Sequence, residues 1–120
     1  MKNIKLYTYK NCQTCKKAIK FLDNLKLSFT EIAIDTTPPS SEELRLALKQ
    51  NDGKMKKLFN TSGQLYRELG LSKKLEEINQ ENAIKLLQEH GMLVKRPFLS
   101  INSEYTAVGF KEYVWRTLIK

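Results

Sequence analysis

The first 34 residues carry the pattern that most constrains the fold of this chain. Apolar and polar residues alternate over 4–8, as in a strand, and the alternation returns over 29–34. Between these segments, apolar residues recur at positions 15, 18, 19, 22 and 25, which is the spacing of one helix face. A strand, a helix and a second strand of these lengths predict a βαβ unit with parallel strands.

The rest of the chain is predicted to be helical at first and then to return to strands. Helical patterns fill about 36–92, where Ser40 is a candidate cap and Asn51-Asp52-Gly53 a stop signal. Strand patterns follow at 98–101 and 105–108, and a last helix is expected to pack through Phe110, Tyr113 and Trp115. The pattern therefore predicts an α/β fold of order β-α-β, helical block, β-β-α, forming one domain over 1–120.

Composition and charge exclude several classes of protein. Hydrophobic residues make up 41% of the 120 residues, which is enough for a core and argues against disorder. No apolar run approaches the roughly 20 residues of a membrane helix, and the N-terminus lacks the apolar stretch of a signal peptide. The net charge of +8 falls in blocks separated by acidic stretches rather than in one stripe. We expect a cytoplasmic protein without a membrane partner and without direct nucleic-acid binding.

The only two cysteines form a CQTC motif between the first strand and the first helix. A loop this short cannot stabilise a whole fold, so the pair points to chemistry. The free N–H groups and the dipole of the helix N-terminus favour a thiolate, and Lys10, Lys16 and Lys17 add positive charge. Because Cys15 falls on the apolar face, we expect Cys12 to be the exposed nucleophile and Cys15 the residue that resolves a mixed disulfide.

Two other interpretations of the cysteines are weaker. Structural zinc takes about four ligands, whereas the chain offers two cysteines and one histidine, so no metal is predicted. An inert pair of buried cysteines is the remaining alternative. A CxxC motif that opens the helix of an N-terminal βαβ unit is typical of redox chemistry.

Arg96 and Pro97 precede the third predicted strand. Proline in this position is compatible with a cis peptide bond in a tight turn. The arginine beside it offers a fork of donors to a thiolate or an anionic substrate, although an ordinary surface position is the alternative. On these residues alone, both interpretations of Arg96 stay open.

Four motifs in order along the chain carry a resemblance to a known family. They are NCQTCKKA, LFNTSGQLYRELGL, KRPFL and VGFKE. The sequence resembles the arsenate-reductase-like (ArsC/Spx) family of the thioredoxin superfamily. The resemblance implies a thioredoxin-like fold with a helical insertion and a mixed four-stranded sheet. It also implies a redox cysteine at Cys12, Arg96 near that cysteine and a cis bond before Pro97. On the strength of this resemblance, we predict that Arg96 and Pro97 contribute to substrate binding.

Departures from the family pattern separate the possible functions. Asn60 stands where the resemblance implies one oxyanion-binding arginine, and Gly109-Phe110-Lys111 surrounds the place of a second. Together with Cys15, these positions are more similar to a thiol-reductase-like branch. We predict a thiol-disulfide oxidoreductase without a bound cofactor, using glutathione or another thiol as co-substrate. The alternatives are an Spx-like redox regulator that binds RNA polymerase, and an arsenate reductase.

Overall fold

The strands form the predicted mixed sheet. The computed structural model describes residues 2–119, and the predicted domain ends, Met1 and Lys120, lie outside them. Strands β1 (Ile4–Thr8), β2 (Thr30–Ala33), β3 (Phe98–Ile101) and β4 (Tyr105–Val108) make one four-stranded sheet in the order β2-β1-β3-β4. β1 is parallel to β2, whereas β3 is antiparallel to both β1 and β4. This arrangement confirms the predicted thioredoxin-like fold.

One face of the sheet packs against the first and last helices. α1 (Gln13–Asn24) connects β1 to β2, and α6 (Glu112–Ile119) follows β4. Strand alternation turns Leu6 and Leu99 toward these helices, where they meet the fully buried Trp115. The buried residues of this core are Ile4, Leu6, Ala18, Phe21, Leu22, Leu99, Ile101, Ala107, Trp115 and Ile119.

The prediction that three aromatic residues of the last helix pack together was partly wrong. Trp115 is buried, and its indole N–H donates to the carbonyl of Gly109 at 3.1 Å. Phe110 packs edge-on against Trp115 but lies before α6. Tyr113 is 71% exposed, because residues two positions apart on a helix point to different sides.

The opposite face of the sheet is covered by the segment between β2 and β3. It contains α2 (Ser41–Gln50), α3 (Gln64–Glu68), α4 (Leu71–Lys74) and α5 (Gln80–Glu89). Two short 3₁₀ turns, at Met55–Leu58 and Gly91–Leu93, complete it. Tyr7 and Phe98, which neighbour residues of the first core, face this second core instead. Among residues 2–119, no helix has both the length and the apolar character to cross a bilayer.

Helix α2 begins and ends at the predicted signals. Ser40 Oγ accepts from the Glu43 N–H at 3.1 Å, while the Glu43 carboxylate accepts from the Ser40 N–H at 3.0 Å, forming a capping box. The helix stops before Gly53, whose φ of +75° is a left-handed conformation and whose N–H donates to Leu48 at 2.8 Å. At the last residue, the Gln50 side chain bonds the edge strand β4 through the Thr106 N–H at 2.9 Å.

Gly91 fixes how closely the helical segment approaches the sheet. A Cβ atom at this position would lie 1.8 Å from the carbonyl oxygen of Ile34, just after β2. No side chain fits at that separation, so the glycine allows the two backbones to touch. From the sequence alone, Gly91 predicts only the end of a helix and not this close backbone contact.

A buried carboxylate joins β1 to α2. Tyr7 donates its hydroxyl to Glu43 Oε1 at 2.7 Å, and Glu43 is only 8% exposed. Burial by itself would raise the pKa of Glu43, but hydrogen bonds from Ser40 and Tyr7 outweigh it and the pKa is lowered. Burial and the neighbouring carboxylate raise the pKa of Tyr7. The pair therefore consists of a carboxylate and a neutral phenol at physiological pH.

We predict that this pair makes the fold sensitive to acid. A carboxyl group whose pKa is lower in the folded state stabilises the protein above its ordinary value of about 4.5, and this stability is lost as pH falls through the folded pKa. Urea unfolding between pH 7 and pH 3 should show a smaller acid loss in Glu43→Gln than in the wild type. The substitution itself should cost about 1–2 kcal/mol at neutral pH, because charge-assisted hydrogen bonds become neutral ones. Parallel acid losses in the two proteins would contradict this assignment.

Candidate functional site

The sulfur of Cys12 acts as the N-cap of α1. Cys12 has an extended backbone, with φ −100° and ψ 111°, and its Sγ accepts from the Cys15 N–H at 3.1 Å. Its own N–H donates to the carbonyl of Tyr9 at 3.1 Å. The first N–H groups of a helix have no partner within the helix, so a side chain usually satisfies them. Here the Cys12 sulfur occupies that position and satisfies the N–H of Cys15.

Cys15 is the more buried cysteine, as the apolar pattern predicts. It is 1% exposed and lies on the same helix face as Ala18 and Leu22. Burial raises the pKa of Cys15 to about 12, and the adjacent Cys12 adds to the effect, while the backbone of Tyr9 and the charge of Arg96 oppose it. Both cysteines are free thiols in the structure. Cys15 therefore remains protonated at neutral pH in the resting protein.

The sheet topology brings distant segments to the cysteine loop. Since β3 runs antiparallel to β1, the start of β3 lies at the same end of the sheet as the end of β1. Cys12 follows β1, and Arg96 and Pro97 precede β3. The end of β4, which leads to Lys111, reaches the same place because β4 is antiparallel to β3. The peptide bond between Arg96 and Pro97 is cis, as the resemblance implied.

Arg96 is held without an acidic partner. Its guanidinium carbon lies 5.0 Å from the centroid of the Tyr9 ring, and Nη1 donates to the sulfur of Met92 at 3.2 Å. Over residues 2–119, the ion pairs are Arg45 with Glu81 and Arg116 with Glu112, so no carboxylate there neutralises Arg96. The charge of Arg96 is the smallest of the influences on the pKa of Cys15, and it places the cation within electrostatic range of the cysteine loop.

Asn60 lies in a lysine-lined cleft beside this end of the sheet. Its N–H donates to the Leu93 carbonyl at 2.7 Å, and the Lys95 N–H donates to the Leu58 carbonyl at 2.9 Å, so the two segments pair through one isolated antiparallel bridge. The cleft has a volume of about 580 Å³. It is lined by Lys54, Lys56, Lys57, Phe59, Asn60, Thr61, Ser62 and Lys95. All the charged residues in this lining are lysines.

Sequence reasoning did not find this cleft or the contact between Tyr9 and Arg96. Lys54 to Lys57 form a visible basic block, but nothing in the sequence pairs that block with Lys95. The sequence pattern places Tyr9 only at the end of a strand and gives no sign of its contact with Arg96. Among residues 2–119, no group of three or more His, Cys, Asp or Glu side chains is placed to hold a metal ion. The arrangement thus offers two thiols and an unneutralised cation, a set suited to sulfur chemistry on an anionic substrate.

Comparisons with known proteins agree with this fold. The family model described as the ArsC family matches residues 7–118. The crystal structure of a possible arsenate reductase from Streptococcus mutans UA159 is similar, with a TM-score of 0.89, 36% identity and coverage of 98% of each chain. The Bacillus subtilis protein YusI is 43% identical over 110 residues, which are 92% of each chain. The global transcriptional regulator Spx of Enterococcus faecalis is 29% identical over 107 residues, covering 89% of this chain and 79% of Spx.

The molecule is thus a thioredoxin-like protein with a cysteine pair at the start of its first helix. It belongs to the ArsC family.

The geometry predicts selective alkylation of the two cysteines. In the native reduced protein, iodoacetamide should modify Cys12 at neutral pH and leave Cys15 intact, because burial raises the pKa of Cys15 to about 12. Peptide mass spectrometry over a time course measures both sites. In urea the two cysteines should react at similar rates, which provides the control. Modification of Cys15 before Cys12 in the native protein would reverse the assignment of the two thiols.

Proposed function

We propose that this protein is a thiol-disulfide oxidoreductase in which Cys12 attacks the substrate and Cys15 resolves the product. The observation that carries the proposal is the Cys12 sulfur at the N-cap of α1, bonded to the N–H of a buried Cys15 at 3.1 Å. Cys12 is half-buried and caps a helix N-terminus, and the thiolate is the form of a cysteine that attacks a disulfide. Free thiols of this kind suit a reducing compartment such as the cytoplasm.

The reaction balances as two successive exchanges. The Cys12 thiolate attacks one sulfur of the substrate disulfide, forming a mixed disulfide and releasing the first substrate thiolate, which takes a proton. Cys15 then loses its proton and attacks the Cys12 sulfur, which releases the second thiol and leaves a disulfide between Cys12 and Cys15. The substrate gains two electrons and two protons in total. Two molecules of an external thiol such as glutathione reduce the protein again and become a disulfide.

We assign Arg96 and Pro97 to the substrate side of the site. Both lie at the end of the sheet where the cysteine loop begins, and Arg96 has no acidic partner over residues 2–119. A guanidinium with free donors can hold the leaving thiolate or a carboxylate of a thiol such as glutathione. Pro97 has no backbone N–H and therefore leaves a surface there without a competing donor.

Arsenate is a poorer match to this arrangement. A compact oxyanion needs several convergent donors to replace its water shell. Arg96 is the one arginine that we assign to the site, while Asn60 is neutral and lies in a cleft whose charged residues are lysines. A disulfide substrate needs fewer hydrogen-bond donors in the site, because its sulfur reacts directly with Cys12.

Two coupled assays should therefore diverge. With glutathione, glutathione reductase and NADPH, the protein should reduce a small mixed disulfide, whereas NADPH oxidation with arsenate should stay at background. Cys12→Ser should abolish the disulfide activity, and a serine hydroxyl retains the helix cap, so the variant should remain folded. Arsenate turnover that disappears in Cys12→Ser would overturn the preference for a disulfide substrate.

A redox regulator is the second candidate, favoured by the similarity to Spx over 89% of this chain. An enzyme and a regulator would use the same cysteine pair. The two functions are therefore distinguished by identifying the proteins or thiols that bind to it. Cys15→Ser removes the resolving thiol and should trap disulfide-linked substrates on Cys12 in a lysate. Capture of thiol substrates that dithiothreitol releases supports the enzyme. Recovery of RNA polymerase with wild-type protein in one redox state, together with no activity in either assay, would favour the regulator.

A further inference from the structure

Tyr9 contacts both the cysteine loop and Arg96. It lies directly after β1, and its carbonyl accepts the N–H of Cys12 at 3.1 Å. Its ring faces the Arg96 guanidinium, whose carbon is 5.0 Å from the ring centroid. The same residue therefore connects the backbone of the cysteine loop to the cation that precedes β3.

The way Arg96 is held leaves its charge available. An aromatic face attracts a cation without accepting the in-plane N–H donors of the guanidinium. The other contact, to the thioether sulfur of Met92 at 3.2 Å, uses a weak acceptor and a single donor group. Within residues 2–119 the remaining donors of Arg96 meet no hydrogen-bond acceptor and no carboxylate. A carboxylate partner would hold the side chain equally well, but it would cancel the charge.

We propose that Tyr9 is a positioning residue that holds the Arg96 guanidinium at the cysteine pair with its donors free for an anionic group of the substrate. This inference rests on the proposed function, because it requires Arg96 to serve the reaction at Cys12. The ring face performs the positioning. The Tyr9 hydroxyl makes no hydrogen bond to the part of the chain that the structure describes.

A packing role is the competing explanation for Tyr9. The residue is partly buried and contacts the core on the helical side of the sheet. Packing alone predicts that loss of the ring changes all reactions of Cys12 to a similar extent. Positioning of Arg96 predicts a larger loss for anionic reagents than for neutral ones, because charged donors bind a negative group more strongly.

The test compares two alkylating reagents of similar size and different charge. In a Cys15→Ser background, the rate constants of Cys12 with iodoacetate and with iodoacetamide are measured at low ionic strength. Tyr9→Leu should lower the ratio of the iodoacetate rate to the iodoacetamide rate about three- to fivefold, the size expected for loss of one cation–π contact. Tyr9→Phe, which keeps the ring, should restore the ratio. Tyr113→Leu makes the same kind of change at a 71% exposed residue and serves as the matched control.

A double-mutant cycle separates the possible outcomes. Arg96→Ala should lower the ratio, and adding Tyr9→Leu should then change nothing further. If Arg96→Ala leaves the ratio unchanged, the role of Arg96 in the proposed function is wrong. If Arg96→Ala lowers the ratio while Tyr9→Leu does not, or if Tyr9→Leu acts equally in the Arg96→Ala background, the positioning role of Tyr9 is overturned.

A measurement on the native protein covers the case in which Tyr9→Leu does not fold. The ring current of Tyr9 should shift the side-chain proton resonances of Arg96 upfield in the NMR spectrum of the reduced protein. Tyr9→Phe should retain that shift. Random-coil positions for the Arg96 side-chain resonances would overturn the inference.

Discussion

The N-terminus of α1 is the constraint on which the site depends. The first turn of a helix leaves N–H groups that need an acceptor, and here the Cys12 sulfur supplies it for the N–H of Cys15 at 3.1 Å. The cap places one sulfur outside the helix and the second one turn inside it, where Cys15 is 1% exposed. One local requirement of the backbone therefore assigns different environments to two identical thiols.

The mixed sheet brings Arg96 and Pro97 to the end of β1 where the cysteine loop begins. A parallel pair alone would leave the cysteine loop facing solvent at the end of β1. The antiparallel β3 brings the start of another strand to the same end, and with it Arg96 and Pro97. Tyr9 spans the short gap between the two segments through its carbonyl on one side and its ring on the other. α1 determines the different burial of the two sulfurs, and β3 brings a cation to the same end of the sheet.

Sequence predictions succeeded where a feature depends on residues close together in the sequence and failed where it depends on residues far apart. Elements with local signals were found, among them α2, whose Ser40 cap and Gly53 stop are encoded within a few residues. The exposed Tyr113 was misjudged, because apolar character does not fix the side of a short helix on which a residue lies. The lysine cleft and the contact between Tyr9 and Arg96 were missed, since each joins residues far apart in sequence with no shared pattern.

Local sequence patterns were enough to predict the βαβ unit, the place of the CxxC motif at a helix start and the burial of Cys15, because all three depend on the period of apolar residues along a short stretch. Only the folded chain shows which cation lies at the end of the sheet where the cysteine loop begins, and which ring holds it. That choice depends on strand direction and on the stacking of Arg96 over Tyr9, across a separation of 87 positions. The backbone contact of Gly91 with Ile34 belongs to the same class, because only the docked segment requires a residue without a side chain there.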